Sequence, residues 1–312
     1  MSGQMDSPGA ANGLTGSAGA AAGQNGSAAE PLLNVRDLVV AYPMKGWRKP
    51  PFTVLKGVSI DVLPGETVGL VGESGSGKTT LGRAVLGLAP VTAGSITFGG
   101  REIGQLSRRQ RRGLSSLVQV VFQDPYTSLN PSMTIGQILT EPLTTNGSVS
   151  KADAARRVNE LLDQVRLPSD AASRLPREFS GGQRQRIAIA RALALSPKLI
   201  VCDEPVSALD LSTQATVLEL LKDIQERTGV SYLFISHDLA VVRYLSQRVA
   251  VISGGEIVEW GPAEQVTRHP RHPYTQRLFL AAPVPDPVRQ AKRREARYEL
   301  MRLQSAGREV AA

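Results

Sequence analysis

The sequence predicts an α/β domain built around a parallel sheet, and three observations carry that prediction. Short apolar runs alternate with stretches of helical spacing along most of the chain, the rhythm of strand–helix–strand units. One such run, Thr67-Val68-Gly69-Leu70-Val71, passes directly into Gly72-Glu73-Ser74-Gly75-Ser76-Gly77-Lys78-Thr79, after which Thr80 to Leu88 reads as a helix. This is the strand–loop–helix setting in which a glycine-rich loop can wrap a phosphate. A second run, Leu199-Ile200-Val201-Cys202, is apolar throughout and ends in Asp203-Glu204-Pro205, so it reads as a central parallel strand buried on both faces.

The elements follow in order. Residues 1–30 are Ala, Gly, Ser and Asn with almost no large apolar side chains. Such a stretch cannot bury enough surface to offset its ordering entropy and reads as a disordered tail. The main domain is expected over 31–283. Leu33 to Val35 and Leu38 to Val40 read as strands, as do Val54 to Val62 beyond a polar loop from Pro43 to Pro51, then Ser95 to Phe98 and Leu117 to Phe122. From about residue 124 the pattern becomes helical, with Ile135, Ile138, Leu139 and Leu143, then Val158, Leu161, Leu162 and Val165 at helical spacing. This reads as a helical insertion. It runs to about residue 195 when the helix Ser180 to Leu195, with Ser180 as N-cap, is included. Helix Ser212 to Glu226, strand Tyr232 to Ser236, helix Leu239 to Leu245 and strand Val249 to Ile252 complete the alternation. Residues 284–312 read as a basic tail with a helix from Val288 to Leu303.

Composition narrows the function classes. A single cysteine, Cys202, excludes a disulfide framework and a thiolate metal cluster within the chain, and suits a cytosolic setting. No apolar run approaches the ~20 residues that cross a bilayer, and the N-terminus lacks a basic segment followed by a leucine-rich core. The net charge of +8 raises nucleic acid or an anionic membrane surface as partners. The charge gathers at Arg108, Arg109, Arg111 and Arg112 and again at Lys292, Arg293 and Arg294, segments that read as solvated helix faces.

The chemistry lies elsewhere. In the loop Gly72–Thr79 the glycines let successive N–H groups point at one anion, Lys78 supplies a point charge to the outer phosphates, and the Thr79 hydroxyl suits magnesium. An acid at the end of a buried strand, here Asp203, holds magnesium in P-loop proteins, and the next acid, Glu204, can orient or deprotonate the attacking water.

Taken together, Gly72–Thr79, Ser180-Gly181-Gly182-Gln183, Leu199–Glu204, Ser207-Ala208-Leu209-Asp210 and His237 resemble the motif set of ABC-type ATPase subunits. The order and rough spacing are that family's, over about residues 32 to 280. The resemblance implies a P-loop core with a parallel sheet, an antiparallel β subdomain and an inserted helical subdomain, with ATP and Mg2+ as ligands. It implies that Gly72 to Thr79, with Thr80, bind nucleotide. Tyr42 is similar to the aromatic that stacks on adenine, the alternative being a strand-end tyrosine at the rim of the core. Gln123 is similar to the glutamine that touches magnesium and water and senses the transport partner. Ser180, Gly181, Gly182 and Gln183 would face the ATP of a second subunit, Asp210 would link the two sites, and His237 would contact the γ-phosphate and work with Glu204. Thr79, Gln123 and Asp203 form the implied metal set.

Two further segments, Phe122-Gln123-Asp124-Pro125-Tyr126-Thr127-Ser128-Leu129-Asn130-Pro131 and His272-Pro273-Tyr274-Thr275, resemble the dipeptide, oligopeptide and nickel importer branch. A turn with Pro at a helix start is the local alternative for the second. The cysteine cluster that some members carry near the C-terminus has no counterpart there. The expectation is an ATPase subunit at the cytoplasmic face of the membrane, powering import of dipeptides or oligopeptides. Its partners would be a second ATPase subunit, the same or related, and integral permease subunits, with an extracytoplasmic solute-binding protein acting indirectly and no nucleic acid. Import of nickel or another small solute, and a soluble ATPase acting on nucleic acid, are the alternatives.

Overall fold

The computed structural model describes residues 30–44, 46, 50–145 and 150–281. The tails expected over 1–30 (but for Glu30) and 284–312, with the helix Val288 to Leu303, lie outside them. Two sheets organise the chain. Strands β1 (Leu33–Tyr42), β2 (Phe52–Val62), β4 (Val91–Phe98) and β5 (Arg101–Glu102) form an antiparallel sheet in the order β2-β1-β4-β5. The second sheet holds β3 (Thr67–Val71), β6 (Val118–Val121), β7 (Leu199–Asp203), β8 (Ser231–Ile235), β9 (Arg248–Ser253) and β10 (Glu256–Pro262) in the order β10-β9-β3-β8-β7-β6. Its pairings are parallel except β9 with β10.

Side-chain alternation along the parallel strands divides the interior into two cores. Val68, Leu70, Leu199, Val201, Leu233 and Ile235 join the side built from the antiparallel sheet and helix α1 (Lys78–Val85). Val71, Ile200, Cys202, Tyr232 and Phe234 face the other side. There they pack with helices of the insertion, α4 (Ile135–Thr144), α5 (Lys151–Gln164) and α6 (Gly181–Leu193), and with α7 (Leu211–Thr228) and α8 (Leu239–Leu245). Each fully buried Leu, Ile or Val stabilises by about 1.5–3 kcal/mol relative to exposure. A strand apolar on both faces therefore has one stable place, between two cores.

The observed bounds differ from the sequence reading in instructive ways. Residues 33–42 form one strand rather than two, because Asp37 takes φ 47° at a bulge and its backbone N–H donates to Ser59 Oγ at 2.9 Å. Helix α1 begins at Lys78, capped by Gly77, and ends at Val85, leaving Leu88 64% exposed. β7 lies inside the sheet but next to its edge strand, β6. In the exposed helix α2 (Arg108–Ser115), Arg109 and Arg112 are solvated, whereas Arg111 turns back to donate to the carbonyls of Leu106 and Gly104. Two short helices, α3 (Pro125–Ser128) at the start of the insertion and α9 (Ala263–Arg268) after β10, precede α10 (Pro273–Ala281), the last helix among the described residues. Among the described residues no helix is long and apolar enough to cross a membrane.

Candidate functional site

The C-terminal ends of β3, β8 and β7, three adjacent strands, bring one group of residues together, as parallel α/β sheets do at their carboxyl edges. The loop after β3 turns at Gly77, whose φ is 111° and whose pro-Cβ direction meets Leu55 Cδ2 at 2.7 Å. Only glycine fits there. Lys78 is 6% exposed, and its ammonium donates to the carbonyls of Gly72 and Glu73, both at 2.8 Å. Burial lowers the Lys78 pKa below its ordinary value, against the opposing pull of Glu204, Asp203 and Glu73. Ser76 Oγ is buried without a hydrogen-bond partner in the same loop, a polar atom that a phosphate oxygen would satisfy.

At the end of β7, Asp203 Oδ1 accepts from Thr79 Oγ1 at 3.1 Å. Burial raises the Asp203 pKa, and the Thr79 hydrogen bond opposes the rise. Two hard oxygen donors at this spacing suit Mg2+, an ion that keeps waters and takes substrate phosphates for its remaining positions. No cluster of three or more His, Cys, Asp or Glu fit to cage a metal occurs among the described residues, so the fit is to an ion shared with phosphate.

Glu204 adopts φ 49°, a left-handed conformation that costs a non-glycine residue of order 1–3 kcal/mol. Its N–H donates to Ile235 O at 2.9 Å, and its own carbonyl accepts from Ser207 Oγ at 3.0 Å. The strained backbone is thus tied to β8. From the loop after β8, His237 Nδ1 lies 3.1 Å from Glu204 Oε2. The imidazole is exposed and the carboxylate largely covered. A covered carboxylate touching an exposed imidazole can hold a water and pass its proton.

A second group sits on other elements. Ser180 caps α6: its Oγ accepts from Gln183 N at 3.3 Å, while Gln183 Oε1 accepts from Ser180 N at 2.9 Å. The Gln183 amide oxygen is therefore committed to the cap. Asp210 caps α7, accepting from the N–H groups and hydroxyls of Ser212 and Thr213. Ser180 and Asp210 are exposed, and Leu211 beside Asp210 is 80% exposed. Among the described residues no hydrogen bond or ion pair joins this group to Lys78, Asp203, Glu204 or His237.

Two predicted residues stand apart. Gln123 is exposed just beyond β6. Tyr42 ends β1 half-buried against the core rim, opposite the 61% exposed Phe52. The segment after Gln123 reaches α6 through the Arg184 guanidinium, 4.3 Å from the centre of the Tyr126 ring, and through Arg191 Nη1, which donates to Ser128 O. The sequence reading missed one contact altogether. Tyr274 Oη accepts from Glu73 N at 3.0 Å, across 201 residues of chain. The segment His272–Thr275 stands out in the sequence by its resemblance to the importer branch, but nothing in it tells that it lies on the phosphate loop.

Residues 55–207 match the family described as ABC transporter, and residues 258–307 match the oligopeptide/dipeptide transporter C-terminal region. A putative peptide import ATP-binding protein of Brucella ovis is 51% identical over 270 residues, covering 86% of this chain and 84% of that protein. The glutathione import ATP-binding protein GsiA of Escherichia coli (strain K12) is 50% identical over 269 residues, 85% of this chain and 43% of that one. Among solved structures, a dimeric ATP-binding cassette in a post-hydrolysis state, bound to ADP and Pi, superposes with a TM-score of 0.66 at 29% identity, over 74% of this chain and 98% of that one.

Proposed function

The chain belongs to the ABC transporter family as an ATP-binding, ATP-hydrolysing subunit, and on that premise we propose that it drives import of short peptides through membrane subunits it does not itself contain. The cargo class is supported by the peptide and glutathione importers among its relatives and by the match over 258–307. These favour peptides over the nickel and nucleic-acid alternatives. The partners are permease subunits that dock on the helical insertion at the cytoplasmic membrane face, served by an extracytoplasmic solute-binding protein.

In this reading Gly72 to Thr80 bind the phosphates, with Lys78 as their counter-charge, and Tyr42 lies against adenine. Thr79, Asp203 and Gln123 would hold Mg2+, which would supply neutralisation of the phosphate charge. Glu204 orients the attacking water and accepts its proton, and His237 holds Glu204 and the γ-phosphate in register. The Ser180–Gly182 turn, with Gln183 and Asp210, serves the nucleotide of a second subunit, so two ATP molecules lie between two chains. Catalysis is positioning and charge stabilisation, without a covalent intermediate.

The observation that carries the catalytic part is the Glu204–His237 contact of 3.1 Å beside the Thr79–Asp203 pair. Glu204→Gln keeps the shape and removes the proton acceptor. It is expected to bind ATP as the parent does, to hydrolyse it about 10²–10⁴-fold more slowly, and to run as an ATP-dependent dimer in size-exclusion chromatography. Parental phosphate release by this variant would remove Glu204 from the role. The cargo is tested by uptake of labelled dipeptides in cells lacking the chain, and undiminished uptake would refute it.

A further inference from the structure

The Gly72–Glu73 peptide is held from both sides. Its carbonyl, Gly72 O, accepts from Lys78 Nζ at 2.8 Å, and its N–H, on Glu73, donates to Tyr274 Oη at 3.0 Å. Lys78 also holds the next carbonyl, Glu73 O, at 2.8 Å. Of the three donors on the ammonium, two are thus engaged by the loop that the lysine serves. The third can meet one phosphate oxygen, and to bond both outer phosphates Lys78 must release a loop carbonyl.

Tyr274 is well anchored to take over. It lies in the first turn of α10, whose start is fixed by polar contacts. His272 Nδ1 accepts from Tyr274 N at 3.2 Å, and the Glu259 carboxylate on β10 accepts from Arg271 N at 2.8 Å and His272 N at 3.0 Å. Gln276 Nε2 donates to Pro270 O at 3.0 Å across the same turn. Further along α10, Leu278 and Phe279 pack with Tyr274 against the core. The turn between β9 and β10 braces the same loop at a second point, where Gly255 N donates to Ser76 O at 3.1 Å.

We propose that Tyr274 is a positioning residue for nucleotide: its hydroxyl fixes the Gly72–Glu73 peptide from α10, so that the loop keeps its phosphate-binding shape when Lys78 turns from the loop carbonyls to the phosphates. This rests on the assignment of Gly72–Thr79 to nucleotide. It adds a contact from outside the loop's own strand–loop–helix unit.

The test is Tyr274→Phe in the full chain, which removes one oxygen and leaves the ring in place. ATP affinity is read by equilibrium titration with a fluorescent ATP analogue and by steady-state ATPase kinetics. Loss of one neutral hydrogen bond to a solvent-accessible N–H predicts about a five-fold rise in Kd and KM, with kcat within about two-fold of the parent. Leu278→Ala, which loosens the same helix without touching the hydroxyl, is expected to lower the melting temperature and leave ATP affinity unchanged. Parental affinity in Tyr274→Phe overturns the inference, as does an equal loss of affinity in Leu278→Ala, which would assign the effect to helix docking. Lys78→Ala separates the two readings. If Lys78→Ala loses ATP while Tyr274→Phe binds like the parent, only the tyrosine's role fails. If Lys78→Ala still binds ATP, the loop assignment fails and the inference with it.

Discussion

Asp210 shows how one side chain serves folding while remaining on the surface for another task. Its carboxylate accepts from Ser212 Oγ at 2.6 Å, Thr213 Oγ1 at 2.7 Å and the N–H groups of both residues. The two hydroxyls, and then the amides, hold its pKa well below the usual carboxylate range. A depressed native pKa stabilises the fold wherever the unfolded carboxylate is ionised, and that contribution is lost as pH falls through the ordinary carboxylate range towards the depressed value. Asp210→Ala is therefore expected to melt about 3 °C lower at pH 7. The gap should narrow in melts recorded below about pH 4, whereas Asp210→Asn, which keeps one acceptor for the cap but not the charge, should melt between Asp210→Ala and the parent at pH 7. The residue types at this site were legible in sequence: lysine after glycines, paired acids after an apolar run, serine before a helix. Their conformations were not. The left-handed backbone of Glu204 is imposed by the Ile235 carbonyl on a neighbouring strand, and no local signal marks a glutamate for it. The return of Lys78 Nζ onto Gly72 and Glu73 is likewise set by geometry that spacing does not encode.

Helices α6 and α7 meet where the chain has no side chain to spare. A Cβ on Gly182 would lie 2.1 Å from Thr213 Cγ2, and Thr213 cannot swing aside freely because its hydroxyl is bonded to Asp210 Oδ2 at 2.7 Å. Gly182→Ala should then destabilise by about 1–3 kcal/mol, the usual cost of overpacking, read as a lower denaturant midpoint. Thr213→Ser removes the colliding methyl and keeps the hydroxyl. The double variant Gly182→Ala/Thr213→Ser should recover more than half of the loss, and no recovery would mean that the glycine is required for another reason. At this level the sequence was most readable where a cap and an apolar period coincide. Ser180 announces α6, and Leu239 to Leu245 is the whole of α8. It was least readable at the sheet edge. β10 is an antiparallel edge strand whose Ile257, Val258 and Trp260 are only partly covered, so its pattern is too weak to stand out. α9 and α10 depend on packing against it and against the core.

Across the whole chain, the two halves of the proposed site ride on different elements. Lys78, Asp203, Glu204 and His237 stand at the strand ends, while Ser180 and Asp210 cap α6 and α7 and are exposed. If each nucleotide lies between two copies, a chain defective in one half should be rescued by a chain defective in the other. Lys78→Ala disables the phosphate loop. Gly181→Asp disables the cap surface with little structural penalty: a Cβ at Gly181 has only ordinary contacts, the nearest at 3.6 Å, and an acid in the first turn of a helix is favourable there while repelling a phosphate. Each variant alone should be inactive. When equal amounts are mixed and pair at random, half of the dimers are mixed and each carries one intact site, so about a quarter of parental ATPase should return if the sites act independently. The recovered rate should fall faster than the protein concentration on dilution, because it depends on pairing. Should the mixture stay as inactive as its components while the parent hydrolyses ATP under the same conditions, the shared-site arrangement for two copies of this chain fails. Should either variant hydrolyse ATP alone, the half it was designed to disable is not needed.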